Sequence, residues 1–402
     1  MSSSTRHRTF LSLPRDYLRR RRVTRRISDV ITILVLSVAA AFVITRQPSS
    51  GFPVPKWMHQ TALTSSAPPS AQTATPAAAP DFSEGPGTAP VAPDGYKLAD
   101  GPYPVSEVPD VVLHDAKRNK DLHLRIFYPH DSGSFPVIVF SHGAGGSQTC
   151  CDSLTRHWAA YGYVTLQPTH DDSVSQRRSS GEHGVNLLSG VRDALKNPAF
   201  WESRPQDISF LLDALPALQD RIPALAGKLD AQRIGVGGHS MGAFTADAIA
   251  GALLDLPGHP ATNFADSRVR AVLLLSPQGP GEFGLNDHSW DQVSLPLLSM
   301  TGSLDKAANG QGPDWKKIPF DRSAPGDKYH VFIEGANHMS FISARTLLPG
   351  RAAQGEMILA YTNSAALAFW DAYLKGDPKA KEYLHSDALP RFSNGTVKLD
   401  RR

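Results

Sequence analysis

The tightest constraint on this 402-residue chain is a stretch of five residues, Gly238-His239-Ser240-Met241-Gly242. The run before it, Arg233-Ile234-Gly235-Val236-Gly237, reads as a strand, and Met241-Gly242-Ala243-Phe244 reads as the start of a helix. A chain that passes from buried strand to helix at a single serine must turn sharply there. Glycines two before and two after the serine suit such a turn, because a Cβ at either would meet the neighbouring backbone. The five-residue pattern alone recurs by chance; strand before and helix after make it specific. It predicts a serine hydroxyl raised at the end of a sheet strand, within reach of a substrate.

The surrounding sequence supplies the sheet. Residues 121–128 alternate as a half-exposed antiparallel strand does. Residues 136–140 form a continuous apolar run, as in a strand covered on both faces. A helix over 154–160 and a buried strand over 162–166 follow. Ile208, Leu211, Leu212, Leu215 and Leu218 predict one helix over 201–218. Further strands are expected at 269–275, 296–301 and 329–333, and a long amphipathic helix at 357–375. Strands alternating with helices predict an α/β fold with a mostly parallel central sheet flanked by helices on both faces. No internal repeat is present.

Charge divides the chain. Residues 1–29 carry nine arginines against Asp16 and Asp29, a net +7, so the remainder is mildly acidic within a total of +3. The positive charge belongs to the tail and gives the folded part no reason to bind nucleic acid. Arg19 to Arg22 and Arg25-Arg26 precede an uncharged, mostly apolar run at 30–45. That run is slightly short of the ~20 residues that span a bilayer comfortably. Basic residues before it stay cytoplasmic, which sends the rest of the chain across the membrane. A transmembrane anchor is one reading; the other is a signal segment cut near Val38-Ala39-Ala40-Ala41, leaving a secreted protein. Residues 46–97, rich in Pro, Ala, Ser and Thr, read as a disordered linker, and a tether of this kind favours the anchor. The organisation expected is therefore a basic cytoplasmic tail (1–29), an anchor or signal segment (30–45), a linker (46–97) and one catalytic domain (98–402).

A serine hydroxyl is a poor nucleophile at neutral pH and needs a base, with a carboxylate to orient that base. For a serine on such a turn the acid and then the histidine follow in chain order, each on a loop after a later strand. Of the histidines after Ser240, His330 lies within a strand and His385 near the end. His338, in Gly335-Ala336-Asn337-His338-Met339, comes directly after the strand at 329–333. Asp305 holds the matching place after the strand at 296–301, with Asp287 and Asp291 as runners-up. The developing oxyanion needs two backbone N–H donors. One comes from Met241, the other from the loop Ser141-His142-Gly143-Ala144-Gly145-Gly146, with Ala144 first and Gly143 as the alternative. His142 is expected to anchor that loop, and His239 to pack beneath Ser240. Phe283, Trp290 and Phe341 can line an acyl pocket or belong to the core. Adjacent Cys150 and Cys151 are either two packed thiols or a vicinal disulfide, and neither sits at an elbow. No phosphate-cradling loop or dinucleotide fingerprint is present, so no cofactor and no metal are implied.

Together, residues 136–146, Trp158-Ala159-Ala160-Tyr161-Gly162-Tyr163-Val164 and the elbow at Ser240 resemble the dienelactone-hydrolase-like branch of the α/β-hydrolases. The likeness lies near the platelet-activating-factor acetylhydrolases, chlorophyllases and bacterial polyester hydrolases, and covers about residues 108–375. It implies a serine esterase, here with Ser240 as nucleophile, His338 as base and Asp305 as acid, acting on small-molecule or lipid esters. Two departures stand out. Dienelactone hydrolases use a cysteine where Ser240 stands, and the acetylhydrolases place their acid after the strand that here ends Leu273-Leu274-Leu275-Ser276-Pro277, without a carboxylate. Acyl transfer by the same triad, or a catalytically silent envelope-binding role, are the alternative functions.

Overall fold

The computed structural model describes residues 95–343 and 352–402. The basic tail, the apolar segment 30–45 and the expected linker up to residue 94 lie outside the described residues. Tyr96 and Lys97, the last residues expected in the linker, are already docked. The Tyr96 hydroxyl donates to Asp371 at 2.9 Å and the Lys97 ammonium pairs with the same carboxylate at 2.5 Å.

Strands β1 (Val105–Asp115) and β2 (Lys120–Pro129) are followed by β3 (Phe135–Ser141), α1 (Asp152–Ala160) and β4 (Val164–Thr169). Four helices come next: α2 (Val174–Ser179), α3 (Leu187–Lys196), α4 (Pro198–Asp213) and α5 (Leu215–Arg221). Strand β5 (Leu229–His239) runs into α6 (Met241–Ile249), and a small hairpin, β6 (Leu254–Leu256) with β7 (His259–Thr262), precedes β8 (Val269–Leu275). Then follow β9 (Leu297–Leu304), α7 (Pro313–Arg322), β10 (Lys328–Asn337), α8 (Ala352–Leu374), α9 (Pro378–His385), α10 (Ala388–Phe392) and β11 (Val397–Arg401).

Nine strands form one sheet in the order β1-β2-β4-β3-β5-β8-β9-β10-β11. From β4 to β10 every neighbouring pair is parallel; β1, β2 and β11 join antiparallel at the edges. Both faces are covered, so the central strands are buried at nearly every position rather than at alternate ones, and are predominantly apolar. Within β3, Val137 and Val139 enter one core while Ile138 and Phe140 enter the other. The first core is closed by α4 and α6 through Ile208, Leu211 and Phe244, the second by α1 and α8 through Trp158, Phe369 and Trp370. The mostly parallel α/β sheet expected from the sequence is the one observed.

One expected element divides. The helix over 201–218 is broken at Ala214, and α5 restarts with Pro216 in its first turn, where a missing N–H costs nothing. Residues 171–197, which show no clear pattern, fold as α2 and α3. Ser173 and Asn186 cap these helices by accepting from the amides of Gln176 and Ser189. No helix among the described residues is long and apolar enough to cross a membrane.

Candidate active site

Strand β5 ends at His239, and Ser240 takes φ 57° and ψ −122° before α6 begins. A non-glycine residue rarely holds such a conformation unless its surroundings fix it. Here they do. The Ser240 N–H donates to the carbonyl of Leu275 at the end of β8 (2.9 Å), and its own carbonyl accepts from Ala243 and Phe244. A Cβ on Gly238 would collide with the backbone of Gly242, and one on Gly242 with the carbonyl of Ser141. The two glycines are therefore required by the close approach of β3, β5 and α6.

His338 is the first residue after β10, and Asp305 the first after β9. Their side chains meet, with His338 Nδ1 3.1 Å from Asp305 Oδ1. Asp305 is fully buried and well supplied with donors. Ser276 donates to Oδ1 and Thr301 to Oδ2, both at 3.0 Å, and the Lys316 ammonium lies 3.6 Å away. Burial alone would raise this carboxyl. The Lys316 charge, with His338 and Ser276, outweighs it and holds the group well below the usual carboxylate range. Lys316 is itself fully buried. Desolvation draws its ammonium down, Asp305 and Glu282 oppose that, and it donates to the Pro277 carbonyl at 3.3 Å.

Ser240 and His338 line one cavity of about 240 Å³. No hydrogen bond joins their side chains directly among the described residues; such contacts commonly close only when substrate is bound. The runners-up for the acid lie elsewhere. Asp287 is exposed and pairs with Arg322, and Asp291 pairs with His288.

Ala144, Gly143 and Gly146 line the same cavity. The Gly145 amide donates to Asp172 (2.8 Å) and that of Gly146 to the Gly143 carbonyl (3.0 Å). Among the described residues the amides of Gly143 and Ala144 donate no hydrogen bond, and Gly143 lies against His239 and Ser240, one residue before Met241 opens α6. A strained hydroxyl, an imidazole fixed by a buried carboxylate and free amides around one cavity can together attack a carbonyl and hold its oxyanion.

Sequence reading did not find what sets the loop 141–146. Arg204 of α4 is fully buried and paired with Asp172. Its guanidinium donates to the His142 carbonyl at 2.7 Å and to that of Gly143 at 3.3 Å. His142 anchors the loop as expected, accepting from the His170 amide through Nε2 (3.0 Å). Burial holds the His142 imidazole down to about 4, the Arg204 charge adding to it. One signal was legible: Arg204 stands four residues before Ile208, on the apolar stripe of its helix.

The same network contains a second Ser-His-Asp constellation. Ser141 Oγ is 2.9 Å from His170 Nε2, and His170 Nδ1 is 2.8 Å from Asp207. All three are sealed from solvent, Ser141 lies in regular strand, and none of them lines the cavity. A substrate carbonyl has no route to that hydroxyl, so geometry sets this group apart from the one at Ser240.

His239 lies against His338, donating from Nε2 to the His338 carbonyl (2.7 Å), with ring centroids 4.8 Å apart. Phe283 lines the cavity, whereas Trp290 and Phe341 are core residues. Cys150 and Cys151 are joined in a vicinal disulfide, with Cys150 at the cavity wall. Among the described residues no cluster of side chains suits a metal ion.

A family model for chlorophyllases matches residues 98–256, which include Ser240 and the loop 141–146 but neither Asp305 nor His338. The chain is 24% identical over 218 residues to a cutinase of Thermobifida alba, covering 54% of this chain and 56% of that one. It is 21% identical over 272 residues to the platelet-activating factor acetylhydrolase of Cavia porcellus, covering 60% and 58% respectively. A putative phospholipase A2 of Schizosaccharomyces pombe is 32% identical over 97 residues, 24% of this chain and 20% of its own. The chain thus spans little more than half the length of the first two. With the sheet order and the elbow already described, these matches show an α/β-hydrolase fold similar to that of serine esterases.

Proposed function

We propose that this protein hydrolyses carboxylic esters through an acyl-enzyme intermediate on Ser240. The observation that carries the reading is the strained Ser240 sharing a cavity with His338, whose far nitrogen is held by the buried Asp305. Ser240 Oγ attacks the ester carbonyl as His338 takes its proton. Asp305 orients the imidazole and stabilises its charged form, and the Met241 and Ala144 amides receive the oxyanion. His338 then protonates the leaving alcohol, and water repeats the cycle to release the acid. Hydrolysis of p-nitrophenyl esters by the wild type, lost in Ser240→Ala, tests this. No turnover by the wild type, or undiminished turnover by the variant, overturns it.

We further infer that residues 30–45 tether the domain outside the cytoplasm, with the arginine-rich tail on the inner side; the charge asymmetry around that segment supports it. Membrane fractionation of the full chain, with protease protection of the tail, tests the orientation.

A further inference from the structure

Most of the cavity wall beyond Ser240 is apolar, formed by Ala144, Leu187, Val191, Leu195, Phe283 and Ile342. Its polar groups are largely committed. Glu282 accepts from Asn309 at 2.9 Å, Lys316 faces Asp305, and His239 is engaged with the His338 carbonyl. Gln278 differs. It lines the same cavity, is only 6% exposed, and its Oε1 is buried without a hydrogen-bond partner.

The backbone on either side of Gln278 is held, which keeps this residue at the cavity wall. The Ser276 amide donates to Met300 (2.8 Å), the Pro277 carbonyl accepts from Lys316 (3.3 Å) and the Pro280 carbonyl from the Trp315 indole (3.0 Å). A buried polar group without a partner is costly, and sites that hold one discriminate strongly in favour of a ligand that completes it. An amide offers both donor and acceptor. A hydroxyl answers both roles; a wholly apolar group answers neither.

We propose that Gln278 is a specificity-determining residue that selects esters carrying a free hydroxyl on the part of the substrate lying against residues 276–281. The proposal rests on the esterase reading and names its substrate class: an apolar body that fills the wall of α3 and Phe283, and a hydroxyl that pairs with the Gln278 amide.

Two matched ester pairs test it. One sets p-nitrophenyl hexanoate against its ω-hydroxyhexanoyl counterpart, and the other sets ethyl hexanoate against hydroxyethyl hexanoate. Each is measured as kcat/KM in the wild type, Gln278→Leu and Gln278→Met, the second variant keeping the unbranched shape if the first does not fold. In the wild type the hydroxylated ester is favoured in one pair by about tenfold, the worth of one completed hydrogen bond. In the variants that ratio falls towards one. A wild type that prefers the plain ester in both pairs, or a ratio that neither substitution changes, overturns the proposal. A wild type that hydrolyses none of the four esters overturns the esterase reading instead, so the two failures are distinct.

Discussion

Ser276 Oγ and His338 Nδ1 are 2.7 Å apart, closer than the 3.1 Å between that nitrogen and Asp305. Ser276 also donates to Asp305, so a hydroxyl bridges imidazole and carboxylate beside their direct contact. Ser276 holds φ 55°, a second strained non-glycine residue, at the strand end where the related acetylhydrolases were expected to keep their acid.

Ser276→Ala removes the bridge without altering the backbone demand, since serine and alanine are equally strained there. Asp305 still reaches His338, so kcat on a p-nitrophenyl ester falls by about tenfold or less. Asp305→Asn takes away the charge that fixes the tautomer, and kcat falls by roughly 10³ to 10⁴. Equal losses in the two variants would show that the serine, not the carboxylate, orients the base.

The two Ser-His-Asp groups separate by mutation. Ser240→Ala abolishes turnover and labelling by a fluorophosphonate. Ser141→Ala leaves labelling intact and destabilises the fold by about 1–3 kcal/mol, because His170 loses a buried partner. Thermal denaturation and labelling of both variants check this.

Arg204→Lys keeps a charge against Asp172 but loses the fork that grips the carbonyls of His142 and Gly143. The loop 141–146 then loses its set. The expected result is a fall in kcat of about 10- to 100-fold with KM within a few-fold. Affinity for a boronic-acid analogue of the tetrahedral intermediate weakens in proportion, as for a lost oxyanion donor. An unchanged boronate affinity would make Arg204 a packing residue only.

Asp247, on α6, is fully buried; its carboxyl Oδ2 accepts from the Trp290 indole at 3.0 Å, and Oδ1 has no partner among the described residues. Burial pushes its carboxyl up to about 7, against a smaller pull from Trp290. The folded state therefore keeps a proton that the unfolded chain releases near 3.8. Stability from this group is complete below about pH 4 and is lost as pH climbs through about 7. Asp247→Asn removes that dependence. Its Tm should exceed that of the wild type at pH 8 and approach it at pH 5, a difference on the order of a few kcal/mol at the alkaline end.

Much of this architecture was legible because the central strands are predominantly apolar and each ends at a break. The segments preceding Asp305 and His338 are of that kind, which is why both could be placed on loops at one sheet edge. The edge strands were not legible in the same way. Strand β1 slips register between Val108 and Val111, across Pro109-Asp110, and β11 is five residues with polar Lys398 and Asp400. Ser276 escaped notice because a serine before a proline is common in any loop; only the fold brings it to His338. Lys316 was hidden for the opposite reason. A lysine in a polar helix reads as solvent-facing, and nothing local announces that it turns inward to a carboxylate.

Helix α3 sends Leu187, Val191 and Leu195 into the cavity from successive turns, while Ser240, Asp305 and His338 stand at the ends of strands. On the proposed reading, the apolar part of recognition and the chemistry are thus borne by different stretches of chain. Side chains on that helix can be enlarged or trimmed to admit longer or bulkier acids with the reactive centre left undisturbed, so the breadth of compounds accepted is free to change on its own schedule.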